Sequence, residues 1–109
     1  MTFSEYQTKA KETAKFPDEE NAFIYAALGL AGETGEVTEK VKKIWRDKGK
    51  AVTDEDRKEI KKEMGDVLWY LSQLAEKLGI NFDDVAISNL EKTSSRLARN
   101  VLHGEGDNR

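Results

Sequence analysis

Two pairs of carboxylates set beside helical apolar stripes constrain this chain more than any other feature. Glu33 and Glu36 stand three residues apart, as do Glu63 and Asp66. At that spacing both side chains of a pair leave a helix on the same side. Around the first pair, Phe23, Ala26, Leu30, Val37, Val41 and Ile44 recur at steps that suit one helix face. Glu33 falls inside the gap from Leu30 to Val37. A carboxylate on such a seam is costly to desolvate unless it is paired or metal-bound. Around the second pair the stripe is Ile60, Met64, Val67, Leu71, Leu74 and Leu78, with Glu63, Asp66 and Tyr70 along one flank. An antiparallel helix hairpin brings the two acidic flanks together, and the segment Lys48–Thr53 is short enough to join them. Four acids gathered in this way repel one another, and a bound divalent cation is the simplest compensation. Carboxylate oxygens are hard ligands that suit Mg²⁺ or Mn²⁺. Mg²⁺ commonly keeps positions for water and substrate phosphates, which points towards phosphate chemistry.

The rest of the chain agrees with helices. Its 109 residues argue for one domain, and 36% of them are charged against 38% hydrophobic, as long amphipathic helices require. There is one proline, Pro17. The pattern predicts helices over about 3–15, 18–47, 54–78 and 82–100. Thr2 or Ser4 caps the first, Asp18 the second, Thr53 or Asp54 the third, and Asn81 or Asp83 the fourth, while Lys48-Gly49-Lys50 suits the end of the second. The expectation is an all-α four-helix bundle over residues 1–100 with an exposed tail over 101–109.

Composition also excludes some functions. The net charge of −3 is no footprint for nucleic acid. The absence of cysteine removes disulfides and thiolate zinc sites. No apolar run approaches the roughly 20 residues that span a bilayer. The opening residues Met1–Glu5 lack the basic and apolar regions of a signal peptide. A soluble cytoplasmic protein with neither nucleic-acid nor membrane partners is expected.

The fourth helix carries a different chemistry. Asn89, Lys92 and Arg96 sit at steps of three and four, so their side chains can converge. Arginine offers a fork to phosphate oxygens and lysine a compact charge. Lys40, four residues beyond Glu36, can pair with that acid or reach a phosphate. The basic run Lys42-Lys43-Ile44-Trp45-Arg46 reads as a solvated helix end. Trp45 and Trp69 read as packing or interface residues. Gly29, Gly32 and Gly35 each cost a helix about 1 kcal/mol against alanine, so close helix approach at the acidic site or at a subunit interface is expected to compensate.

At these residues the chain resembles the MazG-like, all-α nucleoside triphosphate pyrophosphohydrolases. The blocks that carry the resemblance are Gly29-Leu30-Ala31-Gly32-Glu33-Thr34-Gly35-Glu36-Val37 and Glu63-Met64-Gly65-Asp66-Val67-Leu68-Trp69-Tyr70, followed by Asn89-Leu90-Glu91-Lys92 and Arg96. The ending Gly104-Glu105-Gly106-Asp107-Asn108-Arg109 resembles that of small single-domain bacterial and phage members. The resemblance implies Mg²⁺-dependent cleavage of a (deoxy)nucleoside triphosphate between its α and β phosphates, in the service of nucleotide-pool house-cleaning. It implies Glu33, Glu36, Glu63 and Asp66 as metal ligands, with Glu36 and Glu63 catalytic and Glu36 chosen to activate water. It implies Lys92 and Arg96 on the phosphates, Asn89 on sugar or phosphate, and Tyr70 near the nucleotide. It also implies a homodimer or homotetramer. Where many relatives have a basic cluster, this chain reads Lys92-Thr93-Ser94-Ser95-Arg96.

Other readings stand beside this one. A dedicated dUTP or dCTP hydrolase of the same fold fits the same residues. A non-enzymatic helical partner-binding module would keep the acids only for metal-supported folding. A di-iron carboxylate bundle normally wants Glu-x-x-His pairs, and the chain offers none.

Overall fold

A computed structural model of the chain describes residues 1–49 and 51–109. Lys50, expected in the run that ends the second helix, lies outside them. The regular structure among the described residues is helical: α1 Phe3–Ala10, a 3₁₀ turn Lys11–Thr13, α2 Ala22–Asp47, α3 Asp54–Lys77 and α4 Phe82–Ala98. None of these helices is long and apolar enough to cross a membrane.

Local chemistry explains most boundaries. Thr2 accepts from the Glu5 amide at the start of α1, and Asn81 accepts from the Asp83 amide at the start of α4. α3 opens on a capping box: Thr53 Oγ1 accepts from the Asp56 amide at 3.1 Å, and Asp56 Oδ2 accepts from the Thr53 amide at 3.0 Å. α3 closes at Gly79, whose φ of 70° lets the Ile80 amide reach back to the Ala75 carbonyl at 2.8 Å.

Two expectations need correction. α1 ends at Ala10 and tightens into a 3₁₀ turn instead of running to 15. α2 begins at Ala22 instead of Asp18. Pro17 keeps Phe16 out of helical geometry, which bars one continuous helix across the segment, but the chain has already left the helix at Ala14, whose ψ is 89°. Asp18 then accepts from Asn21 Nδ2 at 2.7 Å instead of capping a helix.

α2 and α3 form the main packed pair, and α1 lies against α3 and α4. Buried Gln7 ties α1 to the α3–α4 turn. It donates to the Ile80 carbonyl at 2.8 Å and accepts from the Phe82 amide at 2.9 Å. Phe3 meets the Phe82 ring edge-on with centroids 5.1 Å apart.

The core inside one chain is small. Apart from Ile44 and Phe82, its buried apolar residues are alanines: Ala10, Ala14, Ala22, Ala26 and Ala75. The predicted stripes are only partly covered, since Phe23, Val41, Met64 and Leu78 are exposed. Leu28, Trp45, Leu90 and Leu97 are more than 60% exposed. The accessible surface is 7926 Å², whereas a compact 12.3 kDa chain should show about 6,100 Å². The radius of gyration is 16.8 Å, against about 13 Å for a compact domain of this length.

Lys48 Nζ donates to Asp56 Oδ1 at 2.6 Å. That contact and the Thr53 amide hold the Asp56 carboxyl down from its ordinary 3.8 to about 2. A depressed carboxyl stabilises the fold above its ordinary value, and that contribution disappears as the pH falls towards 2. Asp56→Asn should therefore lower the thermal midpoint at pH 7 and flatten its decline between pH 4 and pH 2, at about those limits. Midpoints measured across that range in both proteins check this; parallel acid limbs would clear Asp56 of the role.

Candidate functional site

The register of the α2–α3 pair follows from its cross-contacts. Gly29 lies against Tyr70, Lys40 against Glu63 and Lys48 against Asp56. As one number rises the other falls, so the helices run antiparallel. The acidic flanks consequently face each other midway along the hairpin. Carboxylate oxygens of Glu33, Glu63 and Asp66 all lie within 4.8 Å of one another. Glu33 and Glu63 are half-buried and Asp66 is exposed. Glu36 is exposed and stands outside this three-acid cluster, although its charge is felt at Glu33.

Electrostatics at the cluster are strained in the expected sense. Partial burial, then the charges of Asp66, Glu63 and Glu36, push the Glu33 carboxyl above its ordinary value. Among the described residues one cation answers them: Lys40 Nζ lies 3.6 Å from Glu63 Oε1. The sequence left Lys40 free to pair with Glu36; in the structure its partner is Glu63. Three converging carboxylates with one lysine leave excess negative charge and unspent hard oxygen donors, a set that fits a divalent oxygen-seeking cation.

An aromatic wall adjoins the acids. Tyr70 follows Asp66 by one turn and lies across Gly29, where a Cβ would collide with its ring. Burial, then the neighbouring Tyr25 and the Glu33 charge, push the Tyr70 hydroxyl up. Trp69 meets Tyr70 edge-on at 5.0 Å, Phe16 meets Trp69 at 5.9 Å, and Phe16 meets Tyr25 at 5.2 Å. Trp69 Nε1 donates to Thr13 Oγ1 at 2.9 Å, so this tryptophan fastens the segment before α2 to α3. Tyr6 also feels the site: burial, then the Asp66 charge, raise its hydroxyl.

Sequence reasoning missed Phe16 and Tyr25. A signal for Tyr25 was present, because Tyr25, Gly29 and Glu33 follow one another at steps of four along a single ridge of α2. Phe16 offered none, since it sits outside any helix and arrives by way of the turn at Pro17.

The row on α4 has its own surroundings. Asn89 is exposed and lines an apolar cavity of about 210 Å³ with Leu68, Leu71 and Phe82 among its walls. Lys92 is half-buried and Arg96 buried, and both engage Asp107. The basic run on α2 pairs with neighbours on its own helix: Lys42 and Lys43 with Glu39, and Arg46 with Asp47. Of the three glycines, only Gly29 has a helix partner close by. Gly32 and Gly35 would place a Cβ in open space within this chain.

A family model described as the MazG nucleotide pyrophosphohydrolase domain matches residues 24–100. The match takes in the three-acid cluster, Glu36, Tyr70 and the α4 row. The chain is also 44% identical over 109 residues to the Gene 37 protein of Mycobacterium phage L5, covering 95% of this chain and 96% of that protein. No solved structure matches the chain.

Gly29→Ala should push the Tyr70 ring off α2, lower the thermal midpoint and weaken the near-ultraviolet dichroism of the aromatic wall. Gly32→Ala adds about 1 kcal/mol of helix propensity without a clash inside the chain. It should raise the thermal midpoint by a few degrees, as about 1 kcal/mol does in a domain of this size, and leave the aromatic dichroism intact. Equal losses in the two variants would show that Tyr70 packing is not what Gly29 serves.

Proposed function

Because the chain belongs to the MazG nucleotide pyrophosphohydrolase family, we propose that it hydrolyses (deoxy)nucleoside triphosphates between the α and β phosphates. The products are a (deoxy)nucleoside monophosphate and pyrophosphate. The family is generally dependent on a divalent metal, and Mg²⁺, with Mn²⁺ as a substitute, is the ion proposed for this chain. The observation that carries the reading is the convergence of Glu33, Glu63 and Asp66 across the hairpin.

Each side chain then has a task. Glu33, Glu63 and Asp66, joined by Glu36, hold the ion. Once held, such an ion supplies charge neutralisation for a polyphosphate and activation of a water nucleophile. Glu36 accepts a proton from the attacking water. Its exposed place beside the three-acid cluster supports this, because a carboxylate with one oxygen towards the ion keeps the other open to water. Glu63 is the second catalytic acid, and Lys40 offsets part of its charge. Released from that pair, Lys40 also serves a phosphate. Lys92 and Arg96 hold phosphates, Asn89 bonds to sugar or phosphate, and Tyr70 flanks the base. Selectivity for surplus or non-standard nucleotides follows from contacts along the aromatic wall. A cytoplasmic location, where such nucleotides are found, accompanies this reading.

Assembly as a homodimer or homotetramer belongs to the same proposal. The surplus of roughly 1,800 Å² over a compact chain is about twice the roughly 800 Å² that each partner buries in an ordinary protein interface, and suits the larger obligate class. A groove of about 280 Å³ along the hairpin, lined by Val37, Met64, Val67, Leu68 and Leu71, is almost wholly apolar. A second copy is the partner whose matching apolar surface is certain to be present with it. Light scattering should give a mass of two or four chains, and a monomer at micromolar concentration would remove this part of the proposal.

The reaction is tested with Mg²⁺ and each nucleoside triphosphate, the products being followed by phosphorus NMR. Monophosphate with pyrophosphate is expected; diphosphate with inorganic phosphate would refute the bond assignment. Turnover confined to dUTP or dCTP would favour the dedicated hydrolase, and none at all the binding module. Glu63→Gln should cut turnover by more than the roughly 10- to 100-fold that losing an outer partner of a metal ligand costs. It should also abolish the rise in thermal midpoint that Mg²⁺ gives, a linkage worth about 2.7 kcal/mol at one hundred times Kd.

A further inference from the structure

Residues 101–109 are mostly exposed, with Val101 and Arg109 half-buried, but the segment is not free. α4 ends with Asn100 at φ 57°, which lets the Val101 amide donate to the Arg96 carbonyl at 2.8 Å and the Asn100 amide to that of Leu97 at 3.1 Å. This cap reverses the chain, so the following residues fold back along the helix. Arg109 then staples the segment to itself. It donates to the carbonyls of Val101 at 3.1 Å, Leu102 at 2.9 Å and Gly106 at 2.6 Å. Arg99 adds a bond to the main-chain oxygen of Arg109 at 2.7 Å.

The staple delivers Asp107 to the two cations of α4. Its Oδ1 accepts from Lys92 Nζ at 2.9 Å and from Arg96 Nη2 at 3.0 Å, and its carbonyl accepts from the same Nη2 at 2.6 Å. The Arg96 side chain is only 8% exposed, while that of Asp107 is 79% exposed. Arg96 Nε is buried and has no hydrogen-bond partner among the described residues. The segment therefore satisfies one nitrogen of the guanidinium twice and leaves another unpaired, which is costly for a buried charged group. A phosphate corrects this defect, because its several oxygens can take Nε and Nη2 together as a fork and still reach Lys92.

We propose that Asp107 is an internal stand-in for a substrate phosphate on Lys92 and Arg96, and that the 101–109 segment gives way when a polyphosphate binds. The inference rests on the reading of Lys92 and Arg96 as phosphate contacts. The Arg109 staple lets the segment leave as one piece, turning at Asn100, once the bonds from Lys92, Arg96 and Arg99 break. In its seated position it keeps two like charges four residues apart from repelling and keeps other anions off them. Binding of polyphosphate is then an exchange of one anion for a better-fitting one.

Inorganic pyrophosphate is the probe, titrated into the full chain without divalent metal and followed by calorimetry. Asp107→Asn keeps the shape of the side chain and removes its charge. It should bind pyrophosphate about tenfold more tightly than the natural chain, as expected for loss of one charge-assisted competitor. Lys92→Ala should lose most of the binding. Amide exchange in 101–109 should speed up when pyrophosphate is added to the natural chain. Weaker binding by Asp107→Asn would mean that Asp107 orients the cations for the ligand, and slower exchange would mean that the segment closes over it; either overturns the exchange. Unchanged affinity in Asp107→Asn alongside loss in Lys92→Ala sinks the stand-in and leaves the phosphate contacts intact. Equal affinity in Lys92→Ala and the natural chain, or no binding by any of them, removes the phosphate reading and the stand-in with it.

Discussion

Mutual repulsion among Glu33, Glu63 and Asp66 is the constraint around which the rest of the molecule is arranged. Two unit charges 4 Å apart repel by about 1 kcal/mol in bulk water and about 4 kcal/mol near a protein surface. Left to themselves the three side chains would turn apart into solvent. The backbone prevents much of that, because the acids project from facing ridges of two long helices whose register is fixed elsewhere. Lys48 and Asp56 hold it at one end of the hairpin, and Gly29 beneath Tyr70 holds it on the other side of the acids. Lys40 offsets one charge of the three. What is left uncompensated is excess negative charge on hard oxygen donors, a set that fits a divalent cation.

The parts legible in the sequence were those written in local chemistry. Thr2, Thr53 and Asn81 start helices because a short polar side chain beside an orphan amide has one obvious use. Helical geometry and a short connection were enough to foresee Glu33, Glu63 and Asp66 converging, but not that Glu36 would stand outside them. The all-α class followed from long amphipathic patterns with a single proline. What was not legible depended on longer-range packing. Asp18 looked like a cap, but the turn after Pro17 gave it Asn21 as a partner before any helix began. Phe16 reaches the aromatic wall from a segment with no period to read. Gly32 looked like Gly29, and only the three-dimensional path of the Tyr70 ring separates them.

The apolar stripes were legible in a subtler way. Their period was right, yet Val41, Met64 and Phe23 are exposed in the single chain. A stripe states that a surface wants cover; it does not state whether the cover comes from the same chain. With five alanines among its seven buried apolar residues, this chain keeps little apolar volume for its own interior. It spends larger side chains such as Leu28, Trp45, Leu90 and Leu97 outside. Small domains bury a smaller fraction of their surface than large ones, and these exposed side chains are what the proposed assembly would cover.

The Arg96 environment shows the same logic applied to charge. A guanidinium can be buried cheaply only when all its donors are answered. Asp107 answers Arg96 incompletely and answers Lys92 with the same oxygen. A purely structural pairing would improve with a second acceptor on Nε, and none of the described residues supplies one. An arrangement good enough to hold the cations yet short of full satisfaction differs from a closed structural salt bridge. It is a resting contact, strong enough to order 101–109 and weak enough for an anion with more oxygens to replace it.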